Sequence, residues 1–192
     1  MDLSGMGDSC GRDEYNATLR MEEIRAVIKD AGLGPKTHLV GHSFGGFMSM
    51  RYAAEYSESL AGLIVADSPL YPPGTDDDRR RRANPMGAIR LYPTFEEAVA
   101  RFRLRPRQPC DNDFIVEYIA RHSIKEAEGG FTWKFDTNAM AGKRFAEPFH
   151  EHLAAANCRA AMFRAGKSAL VTDEMARYTN QLMGPKAPLV VI

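Results

Sequence analysis

Gly41-His42-Ser43-Phe44-Gly45-Gly46 is the stretch whose reading decides the fold. Before it runs Lys36-Thr37-His38-Leu39-Val40, short and β-prone. After it runs Phe47-Met48-Ser49-Met50-Arg51-Tyr52-Ala53-Ala54-Glu55-Tyr56, a good helix former. A serine thus stands on a sharp strand-to-helix turn. This is the G-x-S-x-G arrangement of a nucleophile elbow, which requires the flanking strand and helix as well as the glycines. Gly41 and Gly45 are expected to be small because backbone must pass close to the strained serine. The Phe44 amide, at the positive end of the helix, is expected to face the oxygen of an attacked carbonyl.

Working outward, Leu60-Ala61-Gly62-Leu63-Ile64-Val65-Ala66 is a continuous apolar run, as in a strand buried on both faces of a parallel sheet. Strand, helix and strand make a right-handed βαβ unit. Asp67 then falls at the carboxyl end of the second strand, on the same edge as Ser43, where sites of open α/β sheets gather. Upstream, Ile24, Val27, Ile28 and Ala31 form one apolar stripe, predicting a helix over 15–31 capped by Asn16 or Asp13. Gly32-Leu33-Gly34-Pro35 stops it. Asp2-Leu3-Ser4-Gly5-Met6-Gly7-Asp8-Ser9 is a Gly-punctuated turn in which Asp2 braces the loop.

Between 70 and 157 the pattern changes. Asp76-Asp77-Asp78-Arg79-Arg80-Arg81-Arg82 reads as a solvated helix start, acids first and bases after. Helices are expected over 94–102, with Thr94 as cap, over 113–126 and over 144–156. Gly129-Gly130-Phe131-Thr132-Trp133-Lys134-Phe135-Asp136 alternates aromatic and polar residues. Strand signals return at Cys158-Arg159-Ala160-Ala161-Met162-Phe163-Arg164-Ala165-Gly166 and at Leu189-Val190-Val191-Ile192, separated by a helix over 174–183 with Thr172 as cap.

These motifs resemble the α/β-hydrolase family in its esterase-like branch. The resemblance implies an α/β fold: a partial α/β-hydrolase parallel sheet flanked by helices, with an inserted helical cap. Hydrolase core is expected at 1–69 and 158–192 and the cap at 70–157. It implies hydrolysis of a small or medium ester-like substrate through an acyl-enzyme on Ser43. Phe44 supplies an oxyanion-hole amide, and Asp67 serves as the acid in preference to Asp173. His42, packed beneath the elbow loop, and Phe131 and Trp133 of the cap are candidate lining of the substrate pocket; Phe131, Trp133 and Phe135 equally suit fastening cap to core. Both ends of the family pattern are missing. None of His38, His42, His122, His150 and His152 stands where the family places its base, and the first oxyanion loop is absent. A fragment with little activity is therefore expected, the alternative being a non-catalytic binding module on a hydrolase scaffold. Neither metal nor organic cofactor is implied.

Composition bounds the rest. Lys plus Arg and Asp plus Glu are both 25, so the charge balance carries no nucleic-acid footprint. Cys10, Cys110 and Cys158 have no metal-like spacing and are expected to be free thiols of a reducing compartment. No stretch approaches a membrane span, and no secretory signal opens the chain, so a cytoplasmic protein acting on a small molecule is expected.

Overall fold

In the computed structural model, which describes residues 1–72, 90–105, 107–140 and 147–192, Asn16 starts the first helix. Its side-chain oxygen accepts the Leu19 N–H at 2.8 Å and caps α1 (Ala17–Asp30). Gly32, at φ 63°, turns the chain away. β1 (Thr37–His42) leads through Ser43 into α2 (Phe44–Tyr56), and β2 (Leu60–Ala66) follows. Thr94 caps α3 (Phe95–Arg101) through Oγ1 and the Glu97 N–H, 3.2 Å. Then come α4 (Asp113–His122), β3 (Ile124–Ala127) and β4 (Gly130–Trp133). The chain ends with α5 (Phe149–Ala155), β5 (Ala160–Arg164), α6 (Asp173–Leu182), which Thr172 caps as expected, and β6 (Leu189–Val191).

Packing divides the chain into two units, one of Met1–Tyr15 with Asn84–Gly142, the other of Asn16–Ala83 with Lys143–Ile192. The second holds a four-stranded, all-parallel sheet in the order β1-β2-β5-β6. Leu39 pairs with Leu63, His42 with Ala66, and Ala66 in turn with Phe163, so β1, β2 and β5 end level at their carboxyl edge. Leu63, Val65 and Met162 are fully buried from the sheet, and Met48, Met50, Tyr52 and Ala53 from α2. Each large apolar side chain so buried contributes about 1.5–3 kcal/mol. Helix α2 is buried nearly all round because it packs on β1 and β2 as well as on α1 and α5. Phe47 meets Phe149 of α5 with ring centroids 5.0 Å apart.

The first unit differs from the sequence expectation in one element. The helix expected over 113–126 stops at His122, and Ile124–Ala127 is instead a strand, antiparallel to Gly130–Trp133. Lys125, Glu126 and Ala127 are good helix formers, but strand pairing outweighs their weak preference. Two features enforce the switch. The Ser123 hydroxyl takes the Ile119 carbonyl at 2.7 Å, while the Ser123 carbonyl accepts the Lys134 N–H, also 2.7 Å. Gly129 and Gly130 then turn the chain at φ 86° and 146°, and a Cβ on Gly130 would collide with the Tyr92 carbonyl. Tyr92 and Phe131 exchange backbone hydrogen bonds of 2.8 Å, adding a third extended segment. The Asp76 to Arg82 charge run and the start of the helix expected over 144–156 lie outside the described residues.

Candidate active site

Ser43 adopts φ 50° and ψ −116°, a conformation that non-glycine residues rarely take and that costs about 1–3 kcal/mol. Three hydrogen bonds hold it there. Its N–H donates to the Ala66 carbonyl at 2.9 Å, tying the elbow to the end of β2. Its carbonyl accepts the Gly46 N–H at 3.0 Å and the Ser68 hydroxyl at 2.9 Å. Ser68 is completely buried, so this bond is shielded from water. Phe44 opens α2, where no carbonyl four residues back exists for its amide within the helix. The buried Arg20 guanidinium lies 4.8 Å over the Phe44 ring and fastens the elbow to α1.

The glycines share the work differently from the sequence expectation. A Cβ on Gly41 would collide with Ser49 Oγ and lie 2.5 Å from the Gly45 carbonyl oxygen. One on Gly46 would collide with Ser68 Oγ. One on Gly45 would meet nothing within 4 Å. The steric demand falls on Gly41 and Gly46, because the Gly45 side position points away from the packed turn.

Asp67 follows β2 as Ser43 follows β1, and His42 pairs with Ala66, so both residues stand at the same sheet edge. Asp67 also has positive φ, 46°. Its N–H donates to the Phe163 carbonyl at 2.8 Å; its carboxylate accepts the Ala165 N–H at 3.1 Å and the Ser168 hydroxyl at 2.7 Å. It thereby clamps the turn that follows β5. Asp173 lies in the first turn of α6 and pairs with Arg164 Nη1 at 3.1 Å. Asp2 accepts the Asp8 N–H at 3.2 Å and braces the N-terminal loop.

Of the four histidines in the unit that holds Ser43 (His38, His42, His150 and His152), none hydrogen-bonds its hydroxyl. His42 is exposed on β1 rather than packed beneath the loop, since its side chain falls on the open face of an edge strand. His122 Nδ1 meets the Tyr118 carbonyl at 2.7 Å. His152 Nε2 is 3.0 Å from Glu147, and His150 is 3.6 Å from Glu151. His38 is an exposed residue of β1. Among the described residues no group of three His, Cys, Asp or Glu side chains converges on a metal position. No helix among them is long and apolar enough to cross a membrane.

The Met1–Tyr15 and Asn84–Gly142 unit contains a cavity of about 1230 Å³. Trp133 lines it; Phe131 does not, and packs edge-on against Phe95 with centroids 5.8 Å apart. His42 belongs to the other unit. Sequence reasoning missed Ser68 and Arg20 as supports of the elbow. A serine directly after a strand-end aspartate carries no signal, and a buried arginine inside an amphipathic helix reads as an ordinary polar-face residue.

A family model described as "Alpha/beta hydrolase family" matches residues 1–192. A proline iminopeptidase of Thermoplasma volcanium is 30% identical over 112 residues, 48% of this chain and 38% of that protein. Lipase LipV of Mycobacterium tuberculosis is 25% identical over 142 residues, 72% of this chain and 52% of that protein. The chain thus spans well under two thirds of the curated relatives' length. The crystal structure of E-2-(acetamidomethylene)succinate hydrolase superposes over 100% of this chain and 70% of that one, with TM-score 0.80 at 22% identity, a likeness of fold.

Proposed function

The chain belongs to the α/β-hydrolase family, and on that premise we propose that it acts on small or medium ester-like substrates through a serine nucleophile, Ser43. The observation that carries this is the geometry of Ser43 itself: a non-glycine residue at φ 50° between a parallel strand and a helix, held by three hydrogen bonds. Residues held in such strain cluster at active sites. In the proposed reaction Ser43 Oγ attacks the carbonyl carbon and its proton passes to a base. The oxyanion accepts the Phe44 N–H at the positive end of α2. The alcohol leaves with a proton, and water then attacks the acyl-enzyme to release the acid and restore Ser43. Asp67, at the same sheet edge, is the proposed acid that would orient a base. We read the partner as a small molecule and the compartment as cytoplasmic, which the free thiols of Cys10, Cys110 and Cys158 support.

Because no histidine of its own unit hydrogen-bonds Ser43, the reaction in this chain is expected to be slow, on the order of 10⁴-fold or more below an esterase with a complete triad. Hydrolysis of p-nitrophenyl acetate and labelling by a fluorophosphonate probe test this. Both are expected to be weak and to vanish in Ser43→Ala. A rate unchanged in that variant would remove Ser43 from the reaction. A Ser43-dependent rate matching complete esterases would show that a base reaches it after all. The second reading, a binding module without catalysis, is favoured by the same lack of a histidine partner; it predicts no labelling at all.

A further inference from the structure

The cavity of the Met1–Tyr15 and Asn84–Gly142 unit has a charge unlike the rest of the chain. Overall, acids and bases balance at 25 each. The cavity walls instead carry Arg90, Arg101, Arg103, Arg105, Arg107 and Lys134 against two carboxylates, Asp2 and Asp8. Those two are already engaged. Asp8 pairs with Lys134 at 2.7 Å, and Asp2 accepts the Asp8 N–H. Among the described residues Arg90, Arg101 and Arg107 form no ion pair with a carboxylate. Arg121 of the same unit shows the contrast: it meets both oxygens of Glu96 at 3.0 Å and Glu117 at 2.9 Å. A concave wall of one sign concentrates anions, and the guanidinium fork matches a carboxylate or phosphate two oxygens at a time. Arg103 is held in place by the Ala100 and Phe102 carbonyls at 2.9 and 2.5 Å, which fixes this part of the wall. Beside the charges stands an apolar surface, with Phe102 edge-on to Trp133 at 5.8 Å.

We propose that this cavity binds an organic anion, a carboxylate or phosphate head carried on an apolar body. At about 1230 Å³ it exceeds what a drug-sized ligand needs. The inference does not rest on the role of Ser43, and its failure would leave the serine chemistry untouched.

Trp133 is the single tryptophan of the chain and lines the cavity, so its fluorescence reports occupancy directly. The intact chain is titrated with hexyl phosphate, hexanoate and hexan-1-ol, which share one apolar body. Saturable fluorescence changes are expected with the anions and not with the alcohol, weakening as salt is raised. Tighter binding of hexyl phosphate assigns the site to phosphate; equal or tighter binding of hexanoate assigns it to carboxylates. The variant Arg101→Gln with Arg107→Gln alters two exposed side chains, so its far-UV circular dichroism is expected to match the parent. It is expected to bind the anions about tenfold more weakly or worse, with Lys in place of Gln recovering part of the loss. The proposal is overturned if neither anion saturates the signal at millimolar concentration. It is equally overturned if the alcohol binds as well as the anions, or if the doubly substituted variant binds them undiminished.

Discussion

Gly46→Ala and Gly45→Ala, two adjacent changes of one hydrogen to one methyl, are expected to move stability in opposite directions. At position 46 the new Cβ would collide with Ser68 Oγ and lie 3.0 Å from Ser68 Cβ and 3.1 Å from the Gly41 carbonyl oxygen. Ser68 is fully buried. Overpacking of this kind costs about 1–3 kcal/mol. Turning the hydroxyl aside would also forfeit its hydrogen bond to the Ser43 carbonyl, about 1 kcal/mol. Against this, alanine is favoured over glycine within a helix by about 1 kcal/mol. The net expectation is a loss of roughly 1–3 kcal/mol. At position 45 only the helix preference operates, and a gain of roughly 0.5–1 kcal/mol is expected. Urea unfolding followed by far-UV circular dichroism measures both. Adding Ser68→Ala to Gly46→Ala removes the colliding oxygen and is expected to recover roughly 1–2 kcal/mol in a double-mutant cycle. The reasoning is refuted if Gly46→Ala is as stable as the parent, if Gly45→Ala is as damaging as Gly46→Ala, or if the cycle shows no coupling.

Gly129→Ala places a Cβ at φ 86° and is expected to cost about 1–2 kcal/mol by weakening the β3–β4 hairpin, seen as a lower urea midpoint; an unchanged midpoint would refute the turn geometry. Arg164 has a largely buried side chain that donates to the Val171 carbonyl at 2.9 Å and pairs with Asp173, whose side chain is exposed. Arg164→Ala is expected to cost about 1–3 kcal/mol and Asp173→Asn no more than about 0.5 kcal/mol, and equal costs would contradict the assigned burial. Burial pushes the Cys158 thiol up from its ordinary value. As pH rises, the folded protein therefore forms the thiolate later than the unfolded chain does. The midpoint of the iodoacetamide rate profile at Cys158 should lie higher in the native protein than in urea, and a native midpoint equal to or below the unfolded one would count against it.

Much of the chain was legible because its signals are local. Helix α1 announced itself through an apolar stripe, an Asn16 cap and a Gly-Pro stop. β2 did so through an unbroken apolar run, and the elbow through a serine among glycines between a strand and a helix. Placement of Asp67 on the Ser43 edge followed from the parallel strands of a βαβ unit, whose carboxyl ends share one edge. The hairpin was not legible, because Ile124-Lys125-Glu126-Ala127 has helix-forming composition and becomes a strand only by pairing with Gly130–Trp133.

What the sequence determined by itself was the order of the elements outside the β3–β4 hairpin and the identity of the residue at the strand-to-helix turn, since caps, periodicity and turn chemistry act over a few neighbouring residues. Tertiary structure alone decided which groups hold that turn and what meets across long separations. Ser68 reaches back to the Ser43 carbonyl, Asp67 reaches forward to Ala165 and Ser168, and Gly46 rather than Gly45 takes the steric load. It also gathered arginines 90 to 107 around one cavity with Asp2, Asp8 and Lys134. Such contacts are set by strand register and side-chain packing between segments far apart in the chain, and no local pattern encodes the distance between two side chains that only the folded sheet and hairpin bring together.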